Sequence, residues 1–224
     1  MKVRKSKGCV YCGEINEITK DHVVPKCLFT KPYPSNLITV KACKKCNNAK
    51  SLNEDYLRDF LVADIAVSDK PIAQEIFQKM LSSQRKGSSV IARETVRKSS
   101  LQPFYTDAGI YLGTYHSTPI DTNRIESIFR MLVCGLFYNF RKTRVPDNYV
   151  FTLRRVNPWD FDMLRNIFSR NDTQVHSLGE VFSCALIHPP EDSLSSAWSL
   201  CFYERMVFFV SLINPTLVAK VKSD

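Results

Sequence analysis

Two Cys-x-x-Cys pairs lie thirty residues apart near the start of the chain, Cys9-Val-Tyr-Cys12 and Cys43-Lys-Lys-Cys46. Each pair turns two thiolates toward one point, and two pairs complete the tetrahedral set of four that suits Zn²⁺. Four protein ligands leave no open coordination position, so the predicted zinc ion is structural. It would hold together a segment of about fifty residues, whose hydrophobic burial alone is marginal. A redox motif would explain one pair but not both.

Between the two pairs the stretch KDHVVPKC contains an adjacent aspartate and histidine, Asp21 and His22. A neutral imidazole can activate water near pH 7. A carboxylate and a nearby amide oxygen suit a hard cation such as Mg²⁺ or Mn²⁺. Asparagines follow at Asn36 and Asn47. An isolated Asp-His pair is more often a structural hydrogen-bonded pair, so the surrounding elements have to decide its role.

The segment between the cysteine pairs predicts two strands and a helix. DHVV and NLITV (36–40) are the strand-like runs, and KPYPS forms the turn between them. A helix can begin at NNAKS, after Cys46, with Leu52, Tyr56 and Leu57 on its apolar face. The predicted unit is therefore two strands and a helix, fixed at their base by metal.

Four motifs in this order, CVYCG, DHVVP, NLITV and CKKCNNAKS, resemble the HNH endonuclease family, which has the ββα-metal nuclease fold, in its variety with a four-cysteine zinc site. The resemblance covers residues 9–52. It implies that His22 is the general base and that Asp21 binds the catalytic divalent ion. It implies that Asn36 orients the histidine loop, and that Asn47, or Asn48 in the alternative register, is the second metal ligand.

The resemblance implies a metal-dependent endonuclease that hydrolyses phosphodiester bonds in DNA, with structural Zn²⁺ and catalytic Mg²⁺ or Mn²⁺. Residues 1–50 carry eleven Lys or Arg against three acids, whereas the remaining 174 carry twenty against nineteen, so the excess positive charge favours a polyanion there. The lysines expected to contact phosphate are Lys41, Lys44, Lys45 and Lys50. A solvated basic terminus is the plainer explanation of the charge.

Two other functions stay open. One is a non-enzymatic zinc-ribbon protein that binds nucleic acid, in which Asp21 and His22 are structural. The other is a nuclease effector of phage or bacterial defence whose later domain senses a partner. Because one such module cuts a single strand, a homodimer is one arrangement that would give a double-strand break. The sequence does not distinguish DNA from RNA.

The rest of the chain predicts an α+β protein. We expect a nuclease head at 1–55, a helical connector at 56–100 and a mixed domain at 101–224 that positions DNA, dimerises or binds a partner. The predicted helices are one from Leu52, one from Pro71, 124–140 (capped at Asn123) and one from Pro158; the predicted strands lie near 104–105, 110–115, 149–156, 180–188, 198–204 and 206–213. The segment 82–89 is the predicted hinge loop.

The composition predicts a soluble cytoplasmic protein. Hydrophobic residues make up 44% and charged residues 24%, the N-terminal stretch lacks a secretory apolar run, and no window reaches the roughly 18–20 apolar residues of a membrane span. Thiols stay reduced in that compartment. The remaining cysteines, Cys27, Cys134, Cys184 and Cys201, are therefore expected to be packing residues.

Overall fold

The computed structural model describes residues 8–85 and 97–217. In these residues the strands form three antiparallel sheets: β1 (Ile18–His22) with β2 (Thr39–Cys43), β3 (Ser100–Tyr105) with β4 (Tyr111–Ser117), and a five-stranded sheet of order β5-β9-β8-β7-β6, made of β5 (Val150–Arg155), β6 (Gln174–Leu178), β7 (Phe182–Ile187), β8 (Ser196–Phe202) and β9 (Met206–Ile213). The α-helices in the same described residues are α1 (Lys44–Val62), α2 (Pro71–Arg85), α3 (Thr122–Arg141) and α4 (Phe161–Phe168). This mixture of helices and sheets confirms the predicted α+β class.

Helix α3 is the centre of the hydrophobic core. Its apolar stripe is fully buried and packs on the inner face of the five-stranded sheet, where the Phe129 ring lies 4.8 Å from that of Phe208 and 5.8 Å from that of Phe202. The helix begins two residues earlier than the sequence predicted, because Asp121 rather than Asn123 is the N-cap. The Asp121 side chain accepts a hydrogen bond from the Arg124 amide.

The N-terminal unit, which consists of the two cysteine turns, β1, β2 and α1, packs on α3 and shares its core. Most of the buried apolar side chains form one large cluster from Val10 to Leu212, while Cys9, Ala42 and Cys43 form a small second one. Gly135 of α3 allows a close approach, because a Cβ at this position would lie 2.8 Å from Cγ2 of Val23. The boundary expected at residue 55 lies inside α1, which itself packs on α3.

A second contact joins the N-terminal unit to the turn between β8 and β9. Tyr203, in the turn between β8 and β9, is buried and donates a hydrogen bond to the Leu28 carbonyl over 3.1 Å. Tyr203 and Glu204 have φ values of 50° and 58°, which are unusual for residues with a side chain. Burial and the hydrogen bond to Leu28 hold this turn in place.

Both strands of the first sheet lie about three residues from their predicted positions. Strand β1 ends at His22 instead of beginning at Asp21, and β2 begins at Thr39 instead of Asn36. Val23 and Val24 are buried beyond the strand end and fill the core. Helix α1 begins at Lys44, before Cys46, so the second cysteine pair spans the junction of strand and helix.

Most of the other predicted elements are present. Strand β6 was missed, and it has only one buried side chain, so it lacks a clear apolar alternation. The predicted hinge loop at 82–89 is helical as far as Arg85, and its remainder lies outside the described residues. No helix in the described part of the chain is long and apolar enough to cross a membrane.

Candidate functional site

The four cysteines predicted to bind zinc are brought together. Their sulfur atoms, from Cys9, Cys12, Cys43 and Cys46, all lie within 4.8 Å of one another, and no other group of three or more His, Cys, Asp or Glu side chains in residues 8–85 and 97–217 is so arranged. Tetrahedral Zn–S bonds of 2.3 Å place sulfur atoms about 3.8 Å apart. The Cys12 and Cys43 sulfurs are 3.6 Å apart, which fits a shared ion.

Local backbone geometry shapes both cysteine turns. The Gly13 amide donates to the Cys9 carbonyl over 2.8 Å, with Gly13 at φ +83°, a conformation that favours glycine. In the second turn the Cys46 amide donates to the Cys43 sulfur, and Cys43 is the N-cap of α1. A thiolate at this position interacts favourably with the positive end of the helix dipole.

The pKa values of the thiols in this site are shifted in different directions. Burial opposes ionisation of Cys9, but hydrogen bonds from the backbone amides of Cys43, Cys12 and Tyr11 outweigh it, so the pKa of Cys9 is lowered. The pKa of Cys46 is raised, first by burial and then by the neighbouring cysteines. Several thiolates this close repel one another, and a divalent cation would compensate their charge. The four side chains therefore fit Zn²⁺.

Asp21 is 4% exposed and its carboxylate is held from two sides. Oδ2 accepts a short hydrogen bond from the Tyr11 hydroxyl, and Oδ1 accepts one from Lys50 Nζ at 3.0 Å. Burial, followed by the negative charge of Asp21, raises the pKa of Tyr11, so the phenol stays protonated and remains a donor. Asp21 is thus fixed by Tyr11 of the first cysteine turn and by Lys50 of α1, the helix in which the second cysteine turn ends.

Lys50 is fully buried, which corrects the expectation that it contacts phosphate. Its ammonium donates to Asp21, to the backbone carbonyl of His22 and to Glu54 Oε1 at 2.9 Å. These three oxygens match the three donors of an ammonium group. Lys50 therefore links both residues of the Asp-His pair to α1. It binds Asp21 through the side chain and His22 through the backbone.

His22 is the last residue of β1, opposite Thr39, and its side chain is half-buried. Burial lowers the pKa of His22, and the positive charge of Lys26 acts in the same direction. The imidazole is therefore mainly neutral near pH 7, the state in which it accepts a proton. Both a catalytic base and a structural histidine are compatible with this environment.

Asn47 lies beside the same strand. Its side-chain amide donates to Thr19 Oγ1 over 3.0 Å, and Thr19 and Asp21 share one face of β1. Asn47 and Lys50 are three residues apart on one face of α1. The predicted metal donors Asp21 and Asn47 thus belong to one strand–helix interface. Both offer oxygen ligands, and each Asp21 oxygen already accepts one hydrogen bond, which leaves about two of its four lone-pair sites.

The remaining predicted residues are on the surface. Asn36 is exposed, and its amide donates to the Ser177 carbonyl of β6 at 3.1 Å, so this hydrogen bond joins the loop to the large sheet rather than to His22. Lys41, Lys44 and Lys45 are exposed, as a phosphate contact requires. Asn48 is exposed as well.

Tyr11 and Glu54 are site residues that sequence reasoning missed. The four-residue step from Lys50 to Glu54 on a helix was a signal for an ion pair, but nothing local identified Tyr11. Cys27, which was predicted to be a packing residue, is hydrogen-bonded to Glu54. Its thiol donates to the Glu54 carbonyl, and burial raises its pKa to about 12. A neutral thiol of this kind is a packing group.

Comparison with known proteins gives no family assignment. No protein-family model matches the chain, and no curated protein or solved structure matches it.

Proposed function

We propose that this chain is a metal-dependent endonuclease of the HNH type that hydrolyses phosphodiester bonds in DNA. The observation that carries the proposal is the placement of Asp21 and His22 at the end of β1. Strand β1 is antiparallel to β2, β2 leads directly into α1, and the four thiols lie at the base of this unit. Asn47, on the first turns of α1, faces the same strand.

In this proposal His22 accepts the proton of the attacking water. Its lowered pKa and partial exposure support that role, since a base must be neutral and reachable. Asp21 and Asn47 would hold Mg²⁺ or Mn²⁺, which supplies charge stabilisation at the phosphate and the leaving oxygen. Tyr11 and Lys50 fix the Asp21 carboxylate, and the four cysteines would hold the structural zinc.

Exposed lysines beside this unit support a nucleic-acid backbone as the polyanion. Lys41 lies on β2, and Lys44 and Lys45 open α1, so all three border the strand–helix unit. Lysines contact phosphate without reading base sequence. The proposed substrate, DNA, would therefore be bound through its backbone.

A plasmid-nicking assay with Mg²⁺ and Mn²⁺ tests the proposal. Replacing His22 by alanine should lower the cleavage rate by about 10²- to 10⁴-fold, the usual contribution of a general base. His176→Ala is the matched control, since His176 is another half-buried histidine, on β6. Zinc content and circular dichroism should match in both variants. Cleavage by His22→Ala at the wild-type rate would overturn the proposal.

A specific observation favours a second candidate, a zinc-stapled module that binds nucleic acid without cutting it. Both oxygens of Asp21 are already hydrogen-bonded and the side chain is almost completely buried, as in a purely structural pair. A protein of this kind would bind DNA in a salt-dependent way and leave a plasmid intact in every metal tested. Nicking that needs a divalent ion excludes it.

A further inference from the structure

Arg144 lies against the first cysteine turn, although it belongs to a distant part of the chain. It follows α3, in the loop that leads to β5. Its Nη2 donates to the Tyr11 carbonyl over 3.4 Å, and a Cβ built on Gly13 would lie 3.8 Å from the guanidinium carbon. Tyr11 and Gly13 are the two neighbours of Cys12. The guanidinium therefore lies beside the backbone on both sides of a proposed zinc ligand.

The loop that carries Arg144 is itself held in place. Arg130 of α3 donates to the backbone carbonyls of Asp147 and Tyr149 over 3.3 and 3.4 Å. Val145 is buried in the core. The Arg144 side chain is 26% exposed and forms an ion pair with the Asp147 carboxylate. A guanidinium that is already ordered loses little conformational entropy when it acts on a neighbouring group.

One donor of Arg144 is unused. Its Nε is buried and has no hydrogen-bond partner among the residues that the structure describes. A Cβ built on Gly13 would lie 3.9 Å from this nitrogen, so the unused donor also lies beside the first cysteine turn. Buried polar atoms almost always have a partner. A Cys12 thiolate is an acceptor of opposite charge in this turn.

The cysteine cluster requires positive charge beyond that of the ion it would bind. Four thiolates around one Zn²⁺ carry more negative than positive charge, and groups that surround metal ligands commonly adjust metal affinity. Lys44 and Lys45 lie within the second cysteine pair but are exposed, so water and salt screen their charge. Arg144 is mostly buried and is screened less. The pKa of Arg144 is raised, first by its hydrogen bond to Asp147, and a Cys12 thiolate acts in the same direction.

We propose that Arg144 is a positioning residue of the zinc centre, where its guanidinium holds the Cys12 turn and offsets the negative charge of the thiolates. The loop after α3 thereby helps the N-terminal unit to retain its metal. The Tyr11 hydroxyl binds Asp21, so Arg144 also fixes the backbone of a residue that holds Asp21. The inference rests on the zinc assignment within the proposed function and does not depend on cleavage of DNA.

The test is the zinc affinity of the full chain, measured by competition with a coloured chelator. Arg144→Met should bind zinc about 10- to 100-fold more weakly than the wild type, the usual effect of removing a group that supports a metal ligand. Arg144→Lys keeps the positive charge and should recover part of the loss. Wild-type affinity in Arg144→Met overturns the inference alone, whereas a wild type that binds no zinc overturns the zinc assignment with it.

Two control variants separate this role from the stability of the loop. Asp147→Asn breaks the ion pair but leaves the guanidinium, so its zinc affinity should equal that of the wild type. Arg170→Met removes an arginine from another local ion pair, with Asp172, and should also leave the affinity unchanged. If Asp147→Asn weakens zinc binding as much as Arg144→Met does, the arginine acts only through loop stability, and the inference is overturned.

Replacement of zinc by Co²⁺ provides a spectroscopic readout that loss of stability would not change. A positive charge or a hydrogen bond at a thiolate lowers the energy of its electrons. The sulfur-to-cobalt charge-transfer band should therefore move to longer wavelength in Arg144→Met and stay in place in Arg170→Met. Identical bands in Arg144→Met and the wild type overturn a direct effect of the guanidinium on Cys12.

Discussion

The ammonium of Lys50 lies 3.0 Å from Oδ1 of Asp21, and the two side chains are 0% and 4% exposed. The other oxygen of Asp21 is bonded to Tyr11, which lies between Cys9 and Cys12, while Lys50 follows Cys46 by four residues. The position of the Asp21 carboxylate therefore depends on both cysteine turns. A metal ion that orders these turns also orders Asp21.

Replacing Lys50 by methionine should destabilise the protein strongly. The substitution keeps the length of the side chain but leaves the Asp21 carboxylate buried without its cation, which costs about 3–5 kcal/mol. Urea unfolding measures this loss. Lys45→Met, at an exposed lysine on the same helix, should change the free energy of unfolding by about 0.5 kcal/mol or less. Equal effects of the two variants would show that Lys50 is not a buried partner.

A double variant separates the ion pair from simple packing. Asp21→Asn together with Lys50→Met removes both charges, so its loss should be smaller than the sum of the two single losses by at least about 1 kcal/mol. Additive losses would contradict a direct interaction between the two side chains.

Removal of zinc should unfold the N-terminal unit. The purified wild type should contain about one zinc ion per chain, and chelation should lower its thermal transition, because metal binding to such a site is coupled to folding. Cys12→Ser should lose most of the zinc. Cys27→Ser is the matched control, since Cys27 lies outside the cluster, and it should retain the metal. Elemental analysis measures the zinc content of each protein. A zinc-free wild type prepared without chelators would contradict the assignment of the four cysteines to zinc.

The sequence predicted the elements whose signal is local. Cysteine spacing predicted the thiol cluster, a one-sided apolar pattern predicted α3, and a continuous apolar run predicted β9. The position of β1 was wrong because its five residues contain a single buried side chain, and that side chain is the charged Asp21. Burial of Lys50 was equally hidden, since its partner Asp21 lies 29 residues away and only the fold brings them together.

Replacing Gly135 by alanine tests the contact of the N-terminal unit with α3. Alanine in a helix interior is favoured over glycine by about 1 kcal/mol. Here the new methyl group would lie 2.8 Å from Val23, so we expect a net loss of about 1–3 kcal/mol instead. Adding Val23→Ala should recover part of that loss. A more stable Gly135→Ala protein would contradict the contact.

Asp192 should contribute stability that disappears in acid. Burial opposes its ionisation, but hydrogen bonds from the Leu194 amide and from the Tyr149 and Ser195 hydroxyls outweigh it, so the pKa of Asp192 is lowered. A lowered folded-state pKa gives stability that is complete above the unfolded-state pKa of about 3.9 and is lost as the pH falls through the folded-state value. Asp192→Asn should therefore be less stable than the wild type at pH 7, with a difference that shrinks below about pH 4. Urea unfolding across this range measures it, and a pH-independent difference would contradict the expectation.

The exposed lysines of the N-terminal unit should determine how salt affects DNA binding. Each phosphate contact adds about 0.9 to the slope of log affinity against log salt, because it releases condensed counterions. Lys45→Gln should reduce the magnitude of that slope by about 0.9, the value of one phosphate contact, whereas Lys79→Gln on α2 should leave it unchanged. Fluorescence anisotropy with duplex DNA at several salt concentrations measures both slopes. If the two variants match the wild type, DNA does not contact the start of α1, and the basic surface serves another purpose.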